Sequence, residues 1–203
     1  MRLFVLGPTG GTGKQLVDLA LQRGHHVTAF GRSPQKIPPR KHLTIVEGDP
    51  RNADRLVSAL PGHDVILSAL GAIGRGQTTL LGDCARSTID AASVSGVKRL
   101  FVVSSALLFP DAGLIGAVLS RCVFGNVLRD SLEMERVVKN SGLDWTIVRP
   151  VRLTNGSCTG RWRFEVDRIP RGGFSISRAD VAHFLLDAVE RDAHFQQVIG
   201  LSL

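Results

Sequence analysis

Residues 3–13 read Leu-Phe-Val-Leu-Gly-Pro-Thr-Gly-Gly-Thr-Gly, and this stretch decides the fold. The apolar run Leu3–Leu6 predicts a buried strand, and the apolar periodicity that follows predicts a helix over Gly11–Gln22. A glycine-rich loop therefore lies directly between a strand and a helix. In this position the free backbone N–H groups and the dipole of the helix favour an anion.

The glycine spacing predicts which anion binds. Gly7 permits the tight turn, Gly10 lets the backbone approach a pyrophosphate, and Gly13 lets the helix pack close to the strand. The residues that we expect to hold a dinucleotide pyrophosphate are Gly7, Thr9, Gly10, Gly11, Thr12 and Gly13.

Two other interpretations of the glycine loop compete with dinucleotide binding. A Walker A loop is excluded because the stretch from Gly7 to Gly13 is one residue too long and Lys14 is followed by Gln15, not Ser or Thr. A glycine-rich turn without a ligand remains an alternative. The strand–helix junction favours the dinucleotide interpretation.

Beyond the loop, short apolar runs alternate with helical patterns along the chain. The predicted strands are Leu3–Leu6, His26–Phe30, Leu43–Val46, Asp64–Leu67, Arg99–Val103, Trp145–Val148 and a short Val198–Leu201. The predicted helices are Gly11–Gln22, Ala53–Leu60, Leu80–Ser95, Asn126–Asn140 and Ala179–Glu190. Near-continuous apolar strands between helices indicate a parallel sheet covered on both faces. Right-handed crossovers then predict an α/β fold with a single doubly wound sheet.

The composition fits one globular domain over residues 1–203, because 43% of the residues are apolar and only 21% are charged. The net charge of +7 suits an anionic partner, but the basic residues are scattered, which equally fits an ordinary basic protein.

The three cysteines lie far apart in the sequence, at Cys84, Cys122 and Cys158, so we expect neither a disulfide framework nor a metal site. No signal-peptide pattern or clean apolar span is evident, so we expect a cytoplasmic protein with no membrane partner.

The residues after the second predicted strand indicate which nicotinamide dinucleotide binds. A site that prefers NAD usually has Asp or Glu there, on the ribose 2′-hydroxyl. This chain has Arg32 and Ser33 instead, with Lys36 nearby. The guanidinium of Arg32 can make a bidentate, charge-assisted hydrogen bond to a 2′-phosphate, and Ser33 can donate a further hydrogen bond to it. We therefore predict NADP(H) as the cofactor; the competing interpretation is that Arg32 is a solvated loop residue.

Two further loops follow predicted strand ends, where open α/β sheets bind ligands. Asp49 follows the third strand and is predicted to accept from the adenine amino group, with a helix-capping role as the alternative. Leu70 and Gly71 follow the fourth strand. Small residues in this loop favour backbone contact with the ribose and pyrophosphate, with an ordinary turn as the alternative.

Together with later motifs, these residues make the chain resemble the atypical short-chain dehydrogenase/reductase superfamily, in its NAD(P)-binding, NmrA-like branch. The motifs that carry the resemblance are Gly7–Gly13, Arg32-Ser33, Gly48-Asp49, Val102–Ala106, Ser141–Pro150 and Ile176–Ala182. In length and layout the chain is similar to the biliverdin-IXβ reductase and flavin reductase (NADPH) group. The resemblance covers essentially the whole chain and does not specify a substrate.

The resemblance implies one Rossmann-type domain with a short C-terminal segment, about residues 150–203, on the substrate side. NADPH would lie along the carboxyl ends of the strands, with its nicotinamide near Ser104 and near Pro150 and Val151. Ser105 is the candidate catalytic residue, as a hydrogen-bond partner of the acceptor or of the nicotinamide amide. The alternative is a strand-end serine bonded to backbone.

The same resemblance implies that the apolar segment Leu107–Phe124 forms one wall of a substrate pocket, with Leu107 and Phe109 in contact with the substrate. Flat aromatic acceptors need apolar walls, so a flavin or a quinone fits this composition. A buried core helix is the competing interpretation of the segment.

The chain departs from the family pattern at the catalytic positions. Classical members use a Tyr-x-x-x-Lys pair, and this chain has no tyrosine; the equivalent positions hold Val127 and Ser131. The reductase group places a His directly after the proline of the sixth-strand loop, where this chain has Val151 followed by Arg152. Arg152 is a candidate for holding an anionic acceptor, with a surface arginine as the alternative.

Three hypotheses follow. The first is an NADPH-dependent reductase of a small aromatic acceptor, since the cofactor supplies the hydride chemistry and the protein supplies binding and orientation. The second is a non-catalytic NADP(H) sensor of the NmrA-like type. The third, nucleic-acid binding through the net charge of +7, lacks any supporting motif, so we expect no nucleic-acid partner. The expected assembly is a monomer or a weak homodimer.

Overall fold

Strands and helices alternate along the chain in the computed structural model, which describes residues 1–71, 76–110 and 125–203. The strands are β1 (Arg2–Leu6), β2 (His26–Gly31), β3 (Leu43–Glu47), β4 (Val65–Ser68), β5 (Arg99–Val103), β6 (Asp144–Pro150), β7 (Arg152–Thr154), β8 (Arg163–Val166), β9 (Ser175–Ser177) and β10 (Gln197–Ser202). The α-helices within those ranges are α1 (Gly11–Gln22), α2 (Ala53–Ala59), α3 (Leu80–Ser95), α4 (Gly125–Lys139) and α5 (Arg178–Glu190).

Eight strands form one sheet in the order β3-β2-β1-β4-β5-β6-β10-β8. All neighbours in it are parallel except β8, which pairs antiparallel with β10 at the edge. The strand order reverses between β1 and β4, which is where doubly wound sheets open a crevice for a ligand. The Rossmann-type α/β fold predicted from the sequence is therefore confirmed.

Helices cover both faces of the sheet. Alternate residues of β1 point to opposite sides, so Phe4 and Leu6 join one hydrophobic cluster while Leu3 and Val5 join the other. Residues of α2, α3 and α4 complete the first cluster, and residues of α1 and α5 complete the second. This two-sided burial is the reason that the strands are apolar almost throughout.

The C-terminal segment contains strands that the sequence pattern did not predict. β7 and β9 have three residues each and form a separate parallel ladder, and β8 has four residues. Strands this short carry too few residues to show an alternating pattern. Phe164 and Val166 of β8 are also exposed, because this strand lies at an open edge.

Strand β6 runs further than predicted, to Pro150. Its last residues stay in the ladder because Gly200 and Leu201 of β10 pair with Arg149 and Pro150. A charged residue before a proline normally indicates the end of a strand. Here Arg149 is 7% exposed, and its charge is neutralised inside the protein by a carboxylate.

In the parts of the chain that the structure describes, no helix combines the length and apolarity needed to cross a membrane.

Candidate functional site

Two glycines of the loop, Gly7 and Gly13, are packed too tightly against backbone atoms to carry a side chain. Gly7 has a φ of +75°, and a Cβ built on it would lie 2.8 Å from the carbonyl oxygen of Ala69. A Cβ built on Gly13 would lie 2.1 Å from the carbonyl oxygen of Gly7. At Gly10 the nearest atom would be 3.4 Å away, which is an ordinary van der Waals contact. The environments of Gly7 and Gly13 match the turn and helix-packing roles predicted for them, and approach of a pyrophosphate at Gly10 stays a prediction.

The first turn of α1 has no acidic residue, and its N-cap residue, Gly10, has no side chain with which to cap the helix. By contrast, Asp54, Asp83 and Asp180 occupy the first turns of α2, α3 and α5. Asp180 lies in a capping arrangement with Ser177, whose hydroxyl accepts from the Asp180 N–H. The positive end of α1 is thus left for an external anion, which fits the phosphates of a dinucleotide.

Arg32 lies at the end of β2, beside the glycine loop. A Cβ built on Gly31 would lie 3.4 Å from Cδ of Pro8, which places the end of β2 next to the loop. Arg32 is exposed, and it makes no ion pair among the described residues. Ser33 follows it directly and precedes a short 3-10 turn, Pro34–Lys36, which ends at Lys36. The three residues predicted to surround a 2′-phosphate are therefore neighbours at one corner of the crevice.

Asp49 follows β3 at the same edge of the sheet, and its carboxylate already has a partner. The Arg51 side chain donates to both carboxylate oxygens, at 3.1 Å from Nε to Oδ1 and 2.6 Å from Nη2 to Oδ2. The hydrogen bond from Arg51 lowers the pKa of Asp49 to about 2. Adenine contact by Asp49 stays a prediction, and Arg51 is a cation at this position that sequence reasoning missed.

A buried ion pair lies behind Ser104, at the end of β5. Arg149 donates to Glu135 through Nε at 2.9 Å and through Nη2 at 2.6 Å. The Ser104 hydroxyl donates to the same carboxylate at 2.6 Å. The guanidinium of Arg149 lies 4.5 Å from the centre of the Phe109 ring. Because the Ser104 hydroxyl donates its proton to Glu135, its oxygen can only accept a hydrogen bond from any other neighbour.

Ser105, the candidate catalytic residue, lies next to this cluster. Its oxygen accepts from the N–H of Leu107 at 3.3 Å and so caps the short turn Ala106–Leu108. The backbone contact foreseen as an alternative is present, and the hydroxyl proton stays available for a second partner. A catalytic role for Ser105 therefore stays a prediction.

The other predicted contact residues lie at the same edge or near it. Leu70 is half-buried and Gly71 is exposed after β4, and the backbone N of Leu70 would lie 3.0 Å from a Cβ on Gly7. Val151 directly follows β6 and donates to the carbonyl of Leu201 at 3.1 Å, whereas Arg152 on β7 is exposed. Their roles, like that of the buried Pro150, stay predictions.

Of the predicted substrate wall Leu107–Phe124, residues 111–124 lie outside the described residues. Leu107 is half-buried, and Phe109 is 4% exposed and packs in the core cluster. Substrate contact by these two residues stays a prediction. No group of His, Cys, Asp and Glu side chains arranged to hold a metal ion occurs within the described residues.

Glu135 and Arg149 are functional candidates that sequence reasoning missed. Arg149 falls within a motif of the resemblance, but nothing in the sequence pairs it with a glutamate on α4. The available signal was the helix periodicity, since Glu135 lies one residue after the buried Met134, on the apolar side of α4. A charged residue on a buried face indicates a partner inside the protein.

Comparison with known proteins gives one family match over most of the chain. The profile of a family described as NAD(P)H-binding matches residues 7–192. An uncharacterised chloroplastic protein of Arabidopsis thaliana, At2g34460, is 29% identical over 224 aligned residues, which cover 98% of this chain and 76% of that protein. Several other curated relatives are much longer, and the chain spans only 27–32% of their length.

Solved structures share the fold at low sequence identity. A wide-type short-chain dehydrogenase/reductase from Veillonella parvula, solved in complex with NADP, superimposes with a TM-score of 0.83 and 22% identity, over 100% of this chain and 94% of that one. ChuY from Escherichia coli O157:H7, named an anaerobillin reductase, superimposes with a TM-score of 0.83 and 24% identity, over 100% of this chain and 97% of that one.

Proposed function

Since the chain belongs to the NAD(P)H-binding family whose profile spans residues 7–192, we propose that it is an NADPH-dependent reductase that transfers a hydride to a small aromatic acceptor such as a flavin or a quinone. The observation that carries the proposal is the glycine cradle at the start of α1, whose N-cap residue Gly10 has no side chain, with the exposed Arg32 at the adjoining strand end. The NADP complex of the Veillonella neighbour and the reductase activity named for ChuY support the cofactor and the reaction class.

Each part of the site has a task in such a reaction. The glycine loop and Arg32 bind the dinucleotide by its phosphates. The oxygen of Ser104, at the end of β5, can accept a hydrogen bond from the nicotinamide end of the cofactor. Glu135 and Arg149 hold Ser104 in a single orientation. When bound, NADPH supplies the hydride, so the protein needs chiefly to orient the acceptor and to exclude water from it. In the part of the chain that the structure describes, the Ser105 hydroxyl proton has no acceptor, so Ser105 can donate to the substrate.

A non-catalytic NADP(H) sensor is the second candidate, favoured by the composition of α4. The chain has no tyrosine, and the positions equivalent to the classical Tyr and Lys hold Val127 and Ser131. The Ser131 hydroxyl is buried and donates to the Val127 carbonyl at 2.9 Å, so it does not serve as an acid or a base. For either candidate we propose a cytoplasmic monomer or weak homodimer that binds no nucleic acid.

The test is NADPH oxidation by the purified protein against a panel of FMN, FAD, quinones and biliverdin, with NADH in parallel and cofactor fluorescence reporting binding. We expect turnover with at least one acceptor, faster with NADPH than with NADH. Tight NADPH binding without turnover on the whole panel would favour the sensor. Failure to bind either dinucleotide would contradict both candidates.

Replacing Arg32 by alanine is expected to weaken NADPH binding roughly 10- to 100-fold and to leave NADH binding unchanged, because a charge-assisted contact to the 2′-phosphate is lost. Dissociation constants for both dinucleotides, from fluorescence titration, measure the effect. Arg40→Ala is the matched control, since Arg40 lies in the same connection but pairs with Asp18. Equal losses for NADPH and NADH in Arg32→Ala would show that Arg32 does not select the cofactor.

A further inference from the structure

Arg178, the first residue of α5, lies across the first residue of α1. A Cβ built on Gly11 would lie 2.6 Å from both Cδ and Nε of Arg178. The arginine side chain therefore occupies the space that a larger residue at position 11 would fill. This contact brings a guanidinium to the glycine loop from the C-terminal segment of the chain.

A cation in this place is electrostatically unfavourable by itself. The start of α1 carries the positive end of the helix dipole, where anions are stabilised and cations are not. No carboxylate of the described residues lies within ion-pair distance of Arg178, whereas Arg23, Arg51 and Arg149 all have such partners. An anion between Arg178 and the start of α1 would resolve this conflict.

The position of Arg178 is held by its surroundings. Its Nη1 donates to Oδ1 of Asn155 at 2.6 Å, in the loop after β7. That loop is fixed in turn by Asp180, whose Oδ1 accepts from the N–H groups of Thr159 at 2.8 Å and Gly160 at 3.1 Å. Burial raises the pKa of Asp180, but the hydrogen bonds outweigh this effect and the pKa is lowered overall. Asp180 is therefore charged at neutral pH and keeps the loop docked.

We propose that Arg178 binds the pyrophosphate of the dinucleotide, opposite the backbone N–H groups of the glycine loop. This inference rests on the proposed function, because it assigns a further binding residue to the same site. Arg178 and Arg32 then have different tasks. Arg32 contacts a phosphate that only NADP(H) carries, whereas the pyrophosphate is common to both dinucleotides, so Arg178 contributes affinity without selectivity.

The experiment compares Arg178→Met with Arg178→Lys by fluorescence titration of NADPH and NADH. Arg178→Met should weaken both dinucleotides by a similar factor, roughly tenfold or more, and leave their ratio unchanged. Arg178→Lys keeps the charge and should recover part of the affinity. Thermal unfolding without a dinucleotide controls for the fold, and Asn155→Ala tests the positioning contact, with a smaller loss expected for both dinucleotides.

Gly11→Ala provides an independent route to the same outcome. Its methyl group would displace the Arg178 side chain, which can swing away, so this variant should lose affinity as Arg178→Met does. The double variant should then bind about as well as either single variant, because both remove one interaction. Fully additive losses would contradict a shared mechanism.

Two results would overturn the proposal. One is unchanged affinity of Arg178→Met for both dinucleotides, including the case in which only the KM of an anionic acceptor such as FMN rises. The other is a loss confined to NADPH. Both presuppose that the wild-type chain binds a dinucleotide; if it does not, the proposed function itself fails.

Discussion

A Gly13→Ala chain is expected to unfold at a markedly lower temperature than the wild type, with or without a dinucleotide. The new methyl carbon would lie 2.1 Å from the carbonyl oxygen of Gly7, a backbone atom that cannot swing away. The start of α1 must then move off β1. Overpacking typically costs about 1–3 kcal/mol, and we expect the upper end here because the methyl group meets backbone, so Tm should fall by roughly 6–12 °C in a domain of this size. Circular dichroism during heating measures the change.

Gly10→Ala is the matched comparison, because the same methyl group meets only ordinary contacts there. Its nearest neighbour would be the Gly7 carbonyl oxygen at 3.4 Å, and Gly10 has an ordinary φ of −72°. We expect this variant to melt close to the wild type but to lose dinucleotide affinity roughly tenfold or more, since the methyl group occupies the approach of the pyrophosphate. A Gly13→Ala chain that melts with the wild type, or a Gly10→Ala chain that binds normally, would contradict this account of the loop.

A Glu135→Ala chain is expected to lose about 3–5 kcal/mol of stability, because removing one partner leaves the buried charge of Arg149 uncompensated. Glu135 is 2% exposed and Arg149 is 7% exposed, so water cannot replace the lost carboxylate without opening the structure. Ser104 also loses the acceptor of its hydroxyl proton. Denaturant unfolding measures the change in free energy, and dinucleotide titration reports whether cofactor binding is disturbed.

Glu133→Ala is the control, on the same helix. Glu133 pairs with Arg136 and Arg86, but at the surface, where ion pairs contribute little. The stability lost by Glu133→Ala should be much smaller than that lost by Glu135→Ala. The double variant Glu135→Leu/Arg149→Met should recover much of the stability lost by Glu135→Ala, since well-packed apolar residues replace a buried pair at little cost. Equal destabilisation by Glu133→Ala and Glu135→Ala would show that the buried pair has no special role in stability.

The sequence predicts residues for the cofactor half of the site, and the structure places two of their elements, the glycine loop and the end of β2, side by side. The glycine roles follow from the geometry of a strand–helix turn, and Arg32 is a neighbour of that turn because parallel strands end at one edge of the sheet. The acceptor half could not be predicted in this way. Ser105 and Phe109 follow β5 in a region with no repeating pattern, and the ring of Phe109 contacts Arg149 from another strand.

By itself the sequence determined the order of the α-helices and of strands β1 to β6 and β10, the two-sided sheet and the glycine loop. These depend on patterns within a few residues, namely alternation, helical periodicity and the backbone freedom of glycine. Only the tertiary structure decided that Glu135 forms hydrogen bonds with Arg149 and Ser104. It also decided that Arg51 pairs with the carboxylate of Asp49 and that the Arg178 side chain lies across Gly11. The pairs made by Glu135 and Arg178 join separate elements, and the direction of each side chain is set by how helices and loops pack on the sheet. No local pattern carries that information.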